Sequence, residues 1–137
     1  DVARSFKDCA VVVEGANNPT TVEADEILLA KNIIAIPDIL ANSGGVTVSF
    51  FEWFNNRHEI DYGPLAPTRE KVYRDLETYM TSAFDKVWDA YTRFRSQGVR
   101  DLRTAAFVIA MHRLAIAALP KVSGKTYRDP LRLGDES

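Results

Sequence analysis

The sequence predicts an α/β chain: the second half of a doubly wound domain, in the order β-α-β-α, followed by long C-terminal helices. Three observations carry that prediction. The apolar runs Val11–Val13 and Ile33–Ile36 show no polar alternation, so they read as strands buried on both faces. A helical pattern lies between them, which makes the unit a βαβ crossover with parallel strands and a right-handed connection. Two parallel strands are too few for an independent sheet, so the unit calls for further strands beside it.

The elements follow in order. Ala10 leads the first strand, and "EGANN" ends it. Pro19 and Thr20 then open a helix. Thr20 and Glu23 have capping-box spacing, and Asp25 and Glu26 place negative charge where the helix dipole favours it. Ile27, Leu28 and Lys31 carry the buried side, and Asn32 suits the C-cap. Pro37 ends the second strand, and "PDILANSGG" reads as a loop. A second helix begins near Gly44 and Gly45, with Val46, Phe50, Trp53 and Phe54 on one apolar stripe. "NNRHEIDYGPLAPT" is a turn-rich connector containing Gly63, Pro64 and Pro67. Thr68 caps a long helix whose spaced apolar positions are Val72, Leu76, Met80, Ala83, Val87, Tyr91 and Phe94. Gly98 is a good C′ residue for it. Asp101 caps a last helix, "LRTAAFVIAMHRLAIAAL", which Pro120 is expected to stop, with a frayed polar tail from Lys121.

Composition narrows the function. A chain of 137 residues, 46% hydrophobic and 26% charged, is ordinary for one soluble globular domain. The net charge of −2 supplies no basic face, which argues against a nucleic-acid partner. No apolar run approaches a membrane span. The single cysteine, Cys9, excludes an internal disulfide framework and fits a reducing compartment such as the cytoplasm. The mitochondrial matrix is the other compartment considered. Neither His58 nor His112 has companions at metal-ligand spacing, so no metal site is expected and both read as structural or solvated.

The two strand-end loops hold the chemistry. Ligands of open parallel sheets bind outside the carboxyl ends of the strands, and both loops deliver asparagine there. An Asn amide both donates and accepts, which suits a carboxamide or a ribose hydroxyl. Gly15, Gly44 and Gly45 let backbone approach a ligand closely, and the helix after Gly45 aims free amides at the same edge. Val46 and Ser49 share a face, one for an aliphatic part of a substrate and one for its polar end. On loop chemistry alone Asn17 and Asn18 are plain turn or cap residues, Ser49 is a surface serine, and the Gly44-Gly45 pair is a tight turn. Asp38 reads as a turn residue rather than a catalytic acid, and Cys9 as an inert strand-edge thiol. Trp53, Phe54, Trp88, Tyr91 and Phe94 read as core or helix interface.

"EGANNPTTVEADEIL" and "IPDILANSGGVTVSFFEW" resemble the glutamate dehydrogenases of the Glu/Leu/Phe/Val dehydrogenase family, and "DLRTAAFVIA" resembles a late segment of the same enzymes. The leucine and phenylalanine members share the Asn-x-Gly-Gly-Val element but not "NPTT" or "FEW", which favours glutamate. The resemblance implies that residues 1–60 are the C-terminal half of an NAD(P)-binding, Rossmann-like domain. Residues 61–137 would be a C-terminal helical segment with hinge helices.

It further implies that Asn17 contacts the nicotinamide ribose region and Asn42 the nicotinamide carboxamide, with Gly15 and Gly44 beside them. Gly45 and Val46 would line the substrate pocket, and Ser49 would bind the side-chain carboxylate of glutamate. The implied reaction is oxidative deamination of L-glutamate to 2-oxoglutarate and ammonia, with hydride transfer to NAD or NADP, in a homohexamer. The family's catalytic lysine and aspartate lie in an N-terminal substrate domain that nothing here matches, and no Gly-x-Gly-x-x-Gly occurs. The chain is therefore expected to be a C-terminal portion without activity of its own, and no catalytic residue is assigned in it. The competing readings are a non-catalytic α/β binding module using the sheet edge, and a related amino-acid dehydrogenase of different substrate.

Overall fold

The computed structural model describes residues 2–57 and 68–123. Helices α1 (Val2–Ser5), α2 (Val22–Ala30), α3 (Asp38–Ala41), α4 (Ser43–Arg57), α5 (Arg69–Phe94) and α6 (Leu102–Ser123) accompany strands β1 (Val11–Val13) and β2 (Ile34–Ile36). The described residues are mostly helical around a small parallel sheet, an α/β arrangement. The chain divides into two compact units, Asp1–Asp85 and Lys86–Ser137. The turn-rich connector, with His58, lies outside the described residues from 58 to 67, as does the tail from 124 onward.

In the first unit β1 pairs with β2 in parallel, in the register Val11↔Ile34, Val12↔Ala35 and Val13↔Ile36. The small core behind the sheet is built on Ala3, Leu28 and Ile33, with Phe6, Cys9, Val12 and Ala35 packed against it. Leu28 is 2% exposed, and burying such a side chain contributes about 1.5–3 kcal/mol. Cys9 also reaches the carbonyl of Val11 at 3.3 Å. The expectation of strands buried on both faces is corrected: Val11 and Val13 are 46% and 61% exposed. Only one face of this two-stranded sheet meets the core, so outward side chains remain uncovered among the described residues.

Helix α2 starts one residue later than the capping-box reading placed it. Thr21, not Thr20, is the N-cap, in extended conformation, and its hydroxyl accepts from the Ala24 amide at 3.3 Å. Pro19-Thr20-Thr21 offers two hydroxyls in succession, and the second has the geometry. The C-terminus is a Schellman motif: the Ile33 amide donates to Leu28 O and the Asn32 amide to Leu29 O. Asn32 takes the left-handed C′ position, φ 56°, after Lys31 at the C-cap. Lys31 does not belong to the buried side. Its ammonium instead donates to the carbonyls of Ala3, Arg4 and Phe6 at 3.1, 2.7 and 2.8 Å, satisfying the end of α1. A four-residue helix has too little periodicity to be read from sequence, so α1 is an addition to the expected elements.

The segment "PDILANSGG" is not an irregular loop. It folds as α3 and runs almost directly into α4, with Gly44 and Gly45 already inside the first turn of α4. The expected apolar stripe of α4 is on its outside: Val46, Phe50, Trp53 and Phe54 are 73%, 53%, 52% and 41% exposed. The covered side is the small-residue one, Ser43, Gly44, Thr47 and Val48, together with Phe51, whose ring lies 5.6 Å from that of Tyr79. A glycine lets two helices approach where a larger side chain would hold them apart, so size rather than hydrophobicity selects this face.

The predicted stripe of α5, from Val72 to Phe94, is the covered side of that helix throughout. Thr68 caps it by accepting from the Lys71 amide at 3.2 Å. In the second unit α5 gives way to a 3-10 turn at Arg95–Gln97, and Gly98 follows at φ 101°. Asp101 caps α6, accepting from the Thr104 amide at 2.6 Å. Leu102, Ala105, Ala106 and Ile109 are buried at i, i+3, i+4 and i+7, one helical face. Pro120 does not stop α6, which continues to Ser123. A proline this near a helix end removes a single amide donor, and only a few residues follow it.

Candidate functional site

The site lies where β1 and β2 end. The Glu14 amide donates to Ile36 O at 3.1 Å, carrying the strand pairing one residue beyond β1. Pro37 then serves as N-cap of α3, and its side chain is fully buried and offers no capping acceptor. Glu14 supplies that acceptor from the other loop: its Oε2 accepts from the Asp38 amide at 2.9 Å. Asp38 returns a bond in the opposite direction, its Oδ2 accepting from the Asn18 amide at 2.8 Å. Both carboxyl groups are out of solvent, Glu14 at 2% and Asp38 at 8% exposure. Burying a carboxyl group is costly unless hydrogen bonds compensate, and here each meets a backbone amide of the opposite loop.

Above this buried pair sits an exposed one. Asn42, the C-cap of α3, donates from Nδ2 to Oδ1 of Asn17 at 2.8 Å. That bond uses one of the two Asn42 side-chain N–H groups and one lone pair of Asn17. The pair still offers Asn42 Oδ1 as acceptor and Asn17 Nδ2 as donor. A carboxamide, or neighbouring hydroxyls, has the matching complement. Asn18 sits at φ 45°, a turn conformation that asparagine tolerates. A Cβ built on Gly15 would meet nothing within 4 Å, so the chain leaves open space on that side of the loop.

On α4, Gly45 likewise faces open space, whereas a Cβ on Gly44 would lie 3.7 Å from Leu76 Cδ1 and 3.9 Å from Met80 Sδ. Gly44 therefore sets the approach of α4 to α5. Ser43 ties the same turn down, donating to Leu40 O at 2.8 Å with its hydroxyl also 3.3 Å from Met80 Sδ. Val46 and Ser49 are both exposed, one turn apart. The Ser49 hydroxyl donates to Gly45 O at 3.0 Å, so a carboxylate arriving there would compete with that carbonyl for the proton.

Of the residues predicted for the site, Asn17 and Asn42 are brought into direct contact, and Gly45 and Ser49 are joined by a hydrogen bond. The structure adds Glu14 and Asp38, which sequence reasoning passed over or left as a turn residue. The signal was there. A glutamate directly behind an all-apolar strand, just before glycine, is an acid about to be buried. Among the described residues no group of His, Cys, Asp and Glu could hold a metal ion, and no helix is long and apolar enough to cross a membrane.

Comparison with known proteins gives one direction. Residues 1–121 match the sequence profile of the Glutamate/Leucine/Phenylalanine/Valine dehydrogenase family. The NADP-specific glutamate dehydrogenase A1 of Halobacterium salinarum is 44% identical over 110 residues, 80% of this chain and 24% of that protein. The glutamate dehydrogenase of Thermotoga maritima is 44% identical over 106 residues, 77% of this chain and 23% of that protein. An NAD-specific glutamate dehydrogenase A of Halobacterium salinarum is 45% identical over 109 residues, 78% of this chain and 22% of that protein. The crystal structure of glutamate dehydrogenase from Peptoniphilus asaccharolyticus matches with a TM-score of 0.75 at 31% identity, over 88% of this chain and 28% of that one. The chain thus spans about a quarter of the length of the curated relatives it matches.

Proposed function

This chain belongs to the Glutamate/Leucine/Phenylalanine/Valine dehydrogenase family, and from that premise we propose that it is part of an NAD- or NADP-dependent glutamate dehydrogenase. The protein would oxidatively deaminate L-glutamate to 2-oxoglutarate and ammonia. Residues 1–60 would be the far half of the Rossmann-like cofactor domain, and residues 61–137 the helical segment with its hinge. The 137 residues by themselves would be inactive, and the working assembly would be a homohexamer.

The observation that carries this reading is the Asn42–Asn17 hydrogen bond at the carboxyl ends of the strands. The remaining Asn42 acceptor fits the amide of a nicotinamide carboxamide, the remaining Asn17 donor fits a hydroxyl of the adjoining ribose, and the open space at Gly15 fits close approach of that ribose. When bound, the nicotinamide would supply the hydride acceptor. The chain's own residues bind and orient. Asn42 Oδ1 would accept from the carboxamide, and Asn17 Nδ2 would donate to the adjoining ribose. Ser49 turns its hydroxyl from Gly45 O to the substrate's side-chain carboxylate, and Val46 packs against the aliphatic part. The relatives' names include both NADP-specific and NAD-specific enzymes. The test is steady-state glutamate oxidation by the full-length protein with each cofactor. Turnover with leucine or phenylalanine but not glutamate would overturn the substrate assignment.

A further inference from the structure

The proposed site uses the asparagines, but each asparagine is held by something else. Asp38 bonds to both loops: its Oδ2 accepts from the Asn18 amide at 2.8 Å, next to Asn17, and its carbonyl accepts from the Asn42 amide at 2.9 Å. Glu14 fixes Asp38 in turn by accepting from its amide at 2.9 Å. We infer that Glu14 and Asp38 are positioning residues: their crossed carboxyl-to-amide bonds hold Asn17 and Asn42 at bonding distance, so that the amide pair meets the nicotinamide end of the cofactor, carboxamide and ribose, in one fixed orientation. This rests on the reading of the site given above.

An exposed Asn–Asn bond is weak in water, since each amide can bond solvent equally well, so something buried must hold the two backbones together. The buried acids do that, since a backbone amide left without its acceptor in a buried site loses more than an exposed one does. Asn18 occupies φ 45°, a conformation that costs energy for a residue with a Cβ, and the Asp38 acceptor offsets that cost. Neither acid belongs to the Ala3–Leu28–Ile33 core, so the brace and the core are separable by mutation.

The test is nuclear magnetic resonance of the side-chain amides of Asn17 and Asn42, with nicotinamide mononucleotide as the probe ligand. Glu14→Ala and Asp38→Ala should move both amide signals toward those of free asparagine, while the Leu28 and Ile33 methyl signals stay in place. Affinity for the probe should fall about tenfold or more, the scale of one buried acceptor removed. Glu14→Gln and Asp38→Asn keep an acceptor oxygen and should hold both readouts within about twofold of wild type. Unchanged Asn17 and Asn42 signals in both alanine variants would overturn the inference. Should the alanine variants not fold, hydrogen exchange in the wild type decides. The Asp38 and Asn18 amides should exchange at least about a hundredfold slower than an unstructured reference, and unprotected amides would overturn it. If the brace behaves as stated but the probe shifts neither asparagine, the cofactor reading of the site fails and the brace stands.

Discussion

Asn42 donates its side-chain amide to the side-chain carbonyl of Asn17 across 2.8 Å, joining loops that lie 25 positions apart in the chain. The relationship gives each amide a defined orientation, because swapping the oxygen and nitrogen of either one would set donor against donor or acceptor against acceptor.

Asn17→Ala removes the partner that orients Asn42. Cofactor Kd in the full-length protein should rise by about fivefold, the worth of one modest hydrogen bond, with little change in melting temperature because the residue is exposed. Fluorescence titration with the reduced cofactor reads the first, and a thermal melt reads the second.

The start of α2 makes a pH-dependent prediction. The carboxyl of Glu23 is held below its usual value of 4.5, first by its own backbone N–H and then by the Thr21 hydroxyl. A depressed carboxyl stabilises the fold above its unfolded-state value, and that contribution is lost as pH falls through the lowered folded-state value. Thr21→Ala should raise the Glu23 value part of the way back, since the larger cause remains, and should cost about 1 kcal/mol through the lost cap. Carbon-detected titration of the Glu23 side chain checks the direction.

Gly98 closes the turn between α5 and α6 at φ 101°. Gly98→Ala forces a Cβ into a conformation that L-residues avoid. A loss of about 1–3 kcal/mol in urea unfolding is expected even though the position has open space around it.

Leu28 holds the core behind the sheet at 2% exposure. Leu28→Ala should destabilise the first unit by about 2–5 kcal/mol, read by denaturant unfolding. Its effect on the Asn17 and Asn42 side-chain signals should be small while that unit remains folded.

How far the sequence disclosed this structure depends on where information is local. The parallel strand pair, the caps at Thr68 and Asp101, the glycine at 98 and the covered stripe of α5 all follow from short-range patterns, and the structure bears them out. The contact of Asn17 with Asn42 followed only in part. Strand-end topology predicted that both reach one edge, but not that they bond. The covered face of α4 was not legible, because Val46, Phe50, Trp53 and Phe54 outweigh a glycine side in any hydrophobic pattern. Glu14 was missed because a charged residue is normally exposed, which outweighed its place directly behind an apolar strand, and its partner, the Asp38 backbone amide, has no sequence signature of its own. Thr20 and Thr21 differ in conformation, not in chemistry, so only the structure separates them.

The most direct test of the central claim is a comparison of Michaelis constants in the full-length protein for Asn42→Ala and Ser49→Ala. The account predicts a clean split. Asn42→Ala raises KM for the nicotinamide cofactor by about five- to thirtyfold and leaves KM for glutamate nearly unchanged. Ser49→Ala does the reverse, by about ten- to a hundredfold, the worth of a charge-assisted hydrogen bond. Unchanged glutamate KM in Ser49→Ala, together with unchanged cofactor KM in Asn42→Ala, would contradict the placement of nicotinamide and substrate at this edge of the sheet.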